Sequence, residues 1–440
     1  MAKRLRVRDS VPMSATLAIH DHVRRLRGEG RRVFHLGFGE ATFPVHPRIL
    51  EALRRNASQR AYLPVAGLPE LRRNIADYYR RRFGLEADAS RVLVGCGSKG
   101  LLYAALQAVE GDVVLTDPCW VTYEPQARLA GLTTHVARTS LEDGYRLTPE
   151  NLERCLQEAR AGGGSPAALI LNSPNNPTGV MYPAELMERL AEVARAEQLL
   201  VISDEIYALT AYGEIPHRSI ASYYPEGTIV TGGLSKHLGL GGWRLGAAVL
   251  PPGELGARIG RCMSGVAGAV WTSASAPVQY AATVAYSDDP DIDAYIEACA
   301  AIHGRMTRYL YRILRTLEVP CAEPAGAFYL YPSFRAWGDA LRAKHGVETC
   351  RELSHVLLEE AQIAALPGSD FGSDPRHLCL RLSISQLHTL ADESVDRVLA
   401  LAGSEVGEEE FRRATCPDLH EVGERLARFV NSLKKARLAS

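Results

Sequence analysis

Residues 199–207 read LLVISDEIY. An uninterrupted apolar run ends at Ser203 and Asp204, and Tyr207 follows three positions later. A short apolar run without polar alternation predicts a strand covered on both faces, as in a parallel sheet flanked by helices. The same texture recurs on either side. It is found at VLVG (92–95), VVLTD (113–117), THVA (134–137), AALIL (167–171), TIVTGG (228–233) and LGAAVL (245–250). These runs are bounded by Gly, Pro or Asp and separated by helical stretches. Seven of them predict an α/β fold: a large domain whose mostly parallel seven-stranded sheet is sandwiched by helices.

Beyond residue 300 the texture changes. A long helical stretch (291–318) leads to FYLYPSF, a helix at 349–361 and LCLRLSIS (378–385). In this last run Leu378, Leu380, Leu382 and Ile384 share one face, and Cys379, Arg381, Ser383 and Ser385 share the other. This predicts a smaller α+β domain built from both termini (1–46 and 299–440) beside a large domain over 47–298. The segment SATLAIHDHVRRLRGEG has a Ser cap, apolar residues at 17, 19, 23 and 26 and a terminal Gly, which predicts a surface helix. Leu419, Val422, Leu426, Phe429 and Leu433 recur at helical spacing and predict an extra amphipathic helix at about 417–436.

Composition narrows the function classes. The chain of 440 residues carries 50 basic and 51 acidic side chains, a net charge of −1, which implies no nucleic-acid partner. The basic start MAKRLRVRDS lacks the apolar run of a signal peptide, and no window holds 18 consecutive apolar residues. Nine cysteines form no CxxC pair and no zinc spacing occurs, so reduced thiols, a cytoplasmic location and no metal site are expected.

The run RVLVGCGSKGLLYAALQAV (91–109) contains Gly95, Gly97 and Gly100 in the spacing of a dinucleotide fingerprint, and Asp117 closes the next strand. Three readings stand here: a dinucleotide site, a turn at a helix start that holds another phosphate, and a structural turn. No residue pair suited to hydride transfer accompanies the fingerprint.

NSPNNPTG (172–179), SDEIY (203–207), LSK (234–236) and GWRLG (242–246) all mark strand ends. Carboxyl ends of parallel strands cluster into a ligand crevice, so Asn176, Asp204, Tyr207, Lys236 and Arg244 can converge. A lysine among small residues can form a Schiff base. A strand-end carboxylate can hold a protonated ring nitrogen. A tyrosine and an asparagine can bond a phenolate oxygen. A helix start, with Ser235 and Arg244, can clamp a phosphate. Together these describe pyridoxal 5′-phosphate.

GEATFP (39–44), AYLPVAGLPELR (61–72), NSPNNPTG, SDEIY, LSKHLGLGGWRLG (234–246) and LRLSIS (380–385) resemble, in order and spacing, the fold-type I aminotransferases of class I/II. The resemblance covers about residues 14–400. It implies that Lys236 forms the Schiff base, that Asp204 pairs with the ring nitrogen, and that Tyr207 and Asn176 bond the ring oxygen. Trp120 matches the residue stacked on the ring. Gly97, Ser98 and Lys99 match the phosphate turn, and Ser235 and Arg244 match the remaining phosphate ligands. Lys99 stands where the family often has Ser or Thr, so its backbone N–H is the expected contact. Tyr62 matches a tyrosine supplied by the partner subunit, which implies a homodimer with shared sites. Gly39, Asn176 and Arg381 match the substrate-binding set, with Arg381 on the α-carboxylate. The implied activity moves an amino group between an α-amino acid and a 2-oxo acid.

Other chemistry on the same cofactor remains open at this point: elimination, oxidation, cyclisation or carbon–carbon bond formation. The long tail and GVAGAVWTSASAP (265–277), which holds no assignable recognition residue, keep it open. A non-catalytic regulator would need an appended DNA-binding domain, for which the match leaves no room in front.

Overall fold

The computed structural model describes residues 15–213 and 215–439, leaving out the side chains of residues 15, 16 and 435–439. The basic N-terminal run and the Ser14 cap lie outside the described residues. Seven strands form the main sheet: β1 (Val92–Gly95), β2 (Asp112–Asp117), β3 (Thr134–Arg138), β4 (Pro166–Asn172), β5 (Leu200–Asp204), β6 (Thr228–Gly233) and β7 (Gly246–Val249). Their order is β1-β7-β6-β5-β4-β2-β3. Neighbours are parallel except at β7, which runs antiparallel to both β1 and β6.

The apolar runs are continuous because both faces are covered. Ala168, Ile170 and Ile202 enter one core together with Leu101 and Leu102 of the helix Gly97–Leu106. Leu169, Leu171 and Val201 enter the opposite core with Leu190 and Ala191 of the helix Ala184–Ala196. The period of two sends alternate residues to opposite sides, and neither side meets water.

The sheet order excludes the dinucleotide reading of Gly95, Gly97 and Gly100. A nucleotide-binding βαβ unit needs adjacent parallel strands. Here β7, β6, β5 and β4 stand between β1 and β2. Asp117 accepts a bond from Ser373 Oγ at 2.7 Å, which gives it a structural partner instead of a ribose.

The C-terminal part holds a second sheet of β8 (Tyr329–Leu330), β9 (Leu366–Pro367) and β10 (Leu380–Ser383), antiparallel in the order β9-β10-β8. The N-terminal strand Phe34–His35 pairs in parallel with Ile363–Ala364, which ties the start of the chain to this part. The helix Pro290–Thr316 is capped by the Asp289 side chain, and Thr349 and Glu352 form a capping box on the helix Cys350–Ala361.

The alternation over 378–385 holds from residue 379 onward, since Leu378 has a left-handed backbone with φ 52°. Its polar face is as buried as its apolar one: Cys379, Arg381, Ser383 and Ser385 are all shielded from solvent. The tail forms the helix Pro417–Ala439, with Leu419, Val422, Leu426, Phe429 and Leu433 buried. It packs on the helices Pro290–Thr316, Gly338–His345 and Cys350–Ala361. In the N-terminal helix Ala15–Gly28, Val23 and Leu26 are buried, but Leu17 stays half exposed at the mouth of a cleft. No helix among the described residues is long and apolar enough to cross a membrane.

Candidate active site

The cleft, about 400 Å³ in volume, lies at the carboxyl ends of β4, β5 and β6. Register aligns Asn172, Asp204 and Thr231 across these strands, so residues far apart in sequence reach it together.

One end is a cradle for an anion. The chain leaves β1 and enters the helix Gly97–Leu106 through Gly97, whose φ is 78°. A Cβ at Gly97 would lie 2.3 Å from Arg244 Nη2, and one at Gly246 would lie 2.4 Å from both Gly97 C and Ser98 N. The two glycines thus let Arg244 and β7 close on the helix start, where backbone N–H groups are free. Arg244 donates to the Gly241 carbonyl at 2.8 Å and to the Cys96 carbonyl at 3.5 Å. Lys99 Nζ stands 5.0 Å over the Trp120 ring. Ser98, Lys99, Ser235 and Arg244 all line the cleft.

The floor is Asp204, 2% exposed. Tyr123 Oη donates to its Oδ2 at 2.8 Å, and Thr231 Oγ1 and the Ile206 N–H reach Oδ1 at 3.5 and 3.4 Å. Burial pushes its pKa up to about 6, and the Tyr123 bond is the largest opposing effect. No cation pairs with it among the described residues.

Asp204 therefore burdens the protein without ligand. Between its ordinary 3.8 and about 6, the folded state holds a proton that the unfolded chain has lost. Stability falls as pH rises through that window, and the full cost, on the order of 3 kcal/mol, remains above it. Asp204→Asn is expected to raise the stability of the ligand-free protein by that order near neutral pH, with the gain vanishing below about pH 4. Thermal denaturation across pH measures this; a variant no more stable than wild type near neutrality would contradict it.

Lys236 follows β6 and is half-buried. Its Nζ donates to the Gly39 carbonyl at 2.7 Å. Burial, and next the Arg381 charge, bring its pKa down to about 8. Arg381, on β10, is 1% exposed. Its Nη2 donates to the Gly37 carbonyl at 2.6 Å and its Nη1 to Asn176 Oδ1 at 3.3 Å, while Nε has no partner. Aromatic rings of Tyr329 and Phe371 face its guanidinium at 4.8 and 5.1 Å. None of Lys99, Lys236, Arg244 and Arg381 has a carboxylate within ion-pair distance among the described residues. A buried cation is normally paired, so the unpaired Arg381, with the half-buried Lys236 and the more exposed Lys99 and Arg244 beside it, suits the cleft to anionic ligands.

Asn176 and Tyr207 meet at 3.5 Å, and Asn172 Oδ1 accepts the Asn176 N–H at 2.8 Å. Gly39, Ser98, Lys99, Trp120, Asn176, Asp204, Tyr207, Ser235, Lys236, Arg244 and Arg381 are thus brought to one cleft. Tyr62 is not: it stands 88% exposed and forms no part of the cleft lining. Among the cleft residues that escape the sequence reading are two buried tyrosines. Tyr123 lies three positions after Trp120, and Tyr329 lies in FYLYPSF, where the aromatic alternation was the available signal.

A sequence profile of the aminotransferases of class I and II matches residues 31–399. The chain belongs to this family and is an aminotransferase. It is 34% identical to an aspartate aminotransferase of Geobacillus stearothermophilus over 88% of this chain and 96% of that one. It is 32% identical to an aspartate/prephenate aminotransferase of Thermus thermophilus over 82% and 89%. The solved structure of an aspartate aminotransferase from Thermus thermophilus with maleate covers 95% of this chain and 97% of its own, with 30% identity and a TM-score of 0.78.

Proposed function

We propose that the cleft binds pyridoxal 5′-phosphate and that the chain moves an amino group between an acidic α-amino acid and a 2-oxo acid. The observation that carries this reading is Arg381: a fully buried cation without an acidic partner, in the same cleft as the Lys236 amine. The donor set fits the cofactor. The helix start, Ser98, Ser235 and Arg244 suit its phosphate, with the backbone N–H groups of Gly97 and Lys99 beside them. Asp204 suits the positive ring nitrogen, Tyr207 and Asn176 suit the ring oxygen, and Trp120 suits the ring face.

When bound, the cofactor supplies an aldehyde that joins an amine and a ring that accepts electron density from the substrate α-carbon. The chain does the rest. Lys236 would hold the cofactor through its amine and, once freed by the incoming substrate amine, would take and carry the proton of the substrate α-carbon. A pKa near 8 keeps a useful fraction of its amine free at neutral pH. Asp204 holds the ring nitrogen charged, which relieves its own burial cost. Arg381, with Asn176 and the Gly39 backbone, seats the α-carboxylate.

Lys99 extends the reading to the substrate class. Its ammonium is free of acidic partners and reaches the cleft beside Trp120, where it can meet a second carboxylate. Relatives named for aspartate and a related structure with maleate, a dicarboxylate, support this choice. In an amino-acid panel followed by the cofactor spectrum, aspartate or glutamate should convert fastest. Lys99→Ala should erode that preference about tenfold relative to alanine. Equal losses for acidic and neutral substrates would contradict it.

The chain would act as a homodimer, with the exposed Tyr62 suited to reach a neighbouring cleft. Its large domain would span 47–298, and the smaller one 1–46 and 299–440. Nine unpaired cysteines suit a reducing compartment such as the cytoplasm.

A further inference from the structure

We infer that Tyr329 is a positioning residue: its hydroxyl fixes the direction of the Tyr207 hydrogen, and its ring face seats Arg381. The inference rests on the cofactor reading above.

Arg381 can only donate, so its bond to Asn176 fixes which end of that amide is oxygen. The Asn176 NH2 must then face Tyr207, at 3.5 Å, and donates to it. Tyr207 Oη lies 2.7 Å from Tyr329 Oη. Among the described residues, Tyr207 is the only hydrogen-bond partner of the Tyr329 hydroxyl. Tyr329 is 1% exposed, and its Oη is pressed against the backbone of Gly39, where an added Cβ would come within 2.1 Å. A buried hydroxyl without an acceptor is costly, so Tyr329 donates to Tyr207. Tyr207 then receives two donors and holds its own hydrogen free for an oxygen in the cleft. Receiving those bonds also makes it a stronger donor.

The same ring faces the Arg381 guanidinium at 4.8 Å. Tyr329 therefore touches the residue proposed for the cofactor oxygen and the residue proposed for the substrate carboxylate. The other charges near the pair are Lys236, whose amine stands 5.6 Å from the Tyr207 ring centre, and Asp204.

The two contacts separate by substitution. Tyr329→Phe keeps the ring and removes the hydroxyl; Tyr329→Leu removes both. The main readout is the pH midpoint at which the absorbance of the bound cofactor changes. A hydrogen donated to the ring oxygen competes with the proton that this oxygen shares with the Lys236 nitrogen, so it lowers the midpoint. Tyr329→Phe should raise it by about half a pH unit. Tyr207→Phe should raise it further, and adding Tyr329→Phe to Tyr207→Phe should change nothing more. The KM for the amino acid should stay within about twofold in Tyr329→Phe and rise about tenfold in Tyr329→Leu.

An unchanged midpoint in Tyr329→Phe, or a further shift on the Tyr207→Phe background, would overturn the inference. Thermal denaturation confirms that each variant is folded. If the wild type itself showed no lysine-linked absorbance band, the cofactor reading would fail, which is a separate outcome.

Discussion

Lys236→Ala is expected to lower turnover at least about 10³-fold while leaving the fold intact. The lysine is asked to do two things that no neighbour can replace. It links to the cofactor, and it carries a proton between two carbons. Its nearest polar contact is a backbone carbonyl, Gly39 at 2.7 Å, which cannot act as a base. Stability should move the other way. The folded pKa of about 8 lies below the ordinary 10.5, so the folded protein sheds this proton before the unfolded chain does. Stability therefore rises with pH between about 8 and 10.5, and the burden of the buried ammonium is full below about 8. Without cofactor, the alanine variant should be at least as stable as wild type near pH 7. Capture of the cofactor by wild type should speed up as pH rises to about 8 and then level off, since only the free amine reacts. Turnover within tenfold of wild type, or a lysine-linked absorbance band in Lys236→Ala, would refute the assignment.

Arg381→Leu is expected to cut kcat/KM for amino-acid substrates about 10²- to 10³-fold, and to leave the cofactor bound. The guanidinium is completely buried and has no acid of its own. A substrate carboxylate arriving there would gain a charge-assisted bond in a dry environment, and losing a buried partner of that kind is costly. Arg381→Lys should recover little, because a single ammonium cannot reach both the Gly37 carbonyl and Asn176 while offering a planar pair of donors. Steady-state kinetics with the loaded enzyme separate the cases. A loss of cofactor with substrate affinity preserved would move Arg381 out of the substrate site.

Much of this was legible in the sequence because the strands are covered on both faces. All seven apolar runs became strands, and LSK and SDEIY lie at strand ends where their side chains converge. The order of the strands was not legible. Apolarity says that a strand is buried, not which strand lies beside it, so VLVGCGSKG read equally well as a dinucleotide turn until β1 and β2 proved to be far apart. The reversed direction of β7 was hidden for the same reason. Arg381 was readable as one of the polar faces of LCLRLSIS, but the face proved to be interior, and only the fold reveals that no acid waits there. Tyr123 and Tyr329 were missed because a buried tyrosine at strand or helix spacing looks like core. Their hydroxyl partners, Asp204 and Tyr207, lie 81 and 122 positions away. The tail, which kept other chemistries open, packs on other helices, and none of its described residues lines the cleft.

The central claim is that the amino group is parked on the enzyme and passed on. It is tested most directly by a single turnover of the cofactor-loaded enzyme with nitrogen-15 aspartate and no 2-oxo acid. The account predicts one equivalent of oxaloacetate per site, no free ammonia, the label retained on the enzyme, and its release as labelled amino acid when a 2-oxo acid is added. Free ammonia, or continued turnover without a 2-oxo acid, would contradict it.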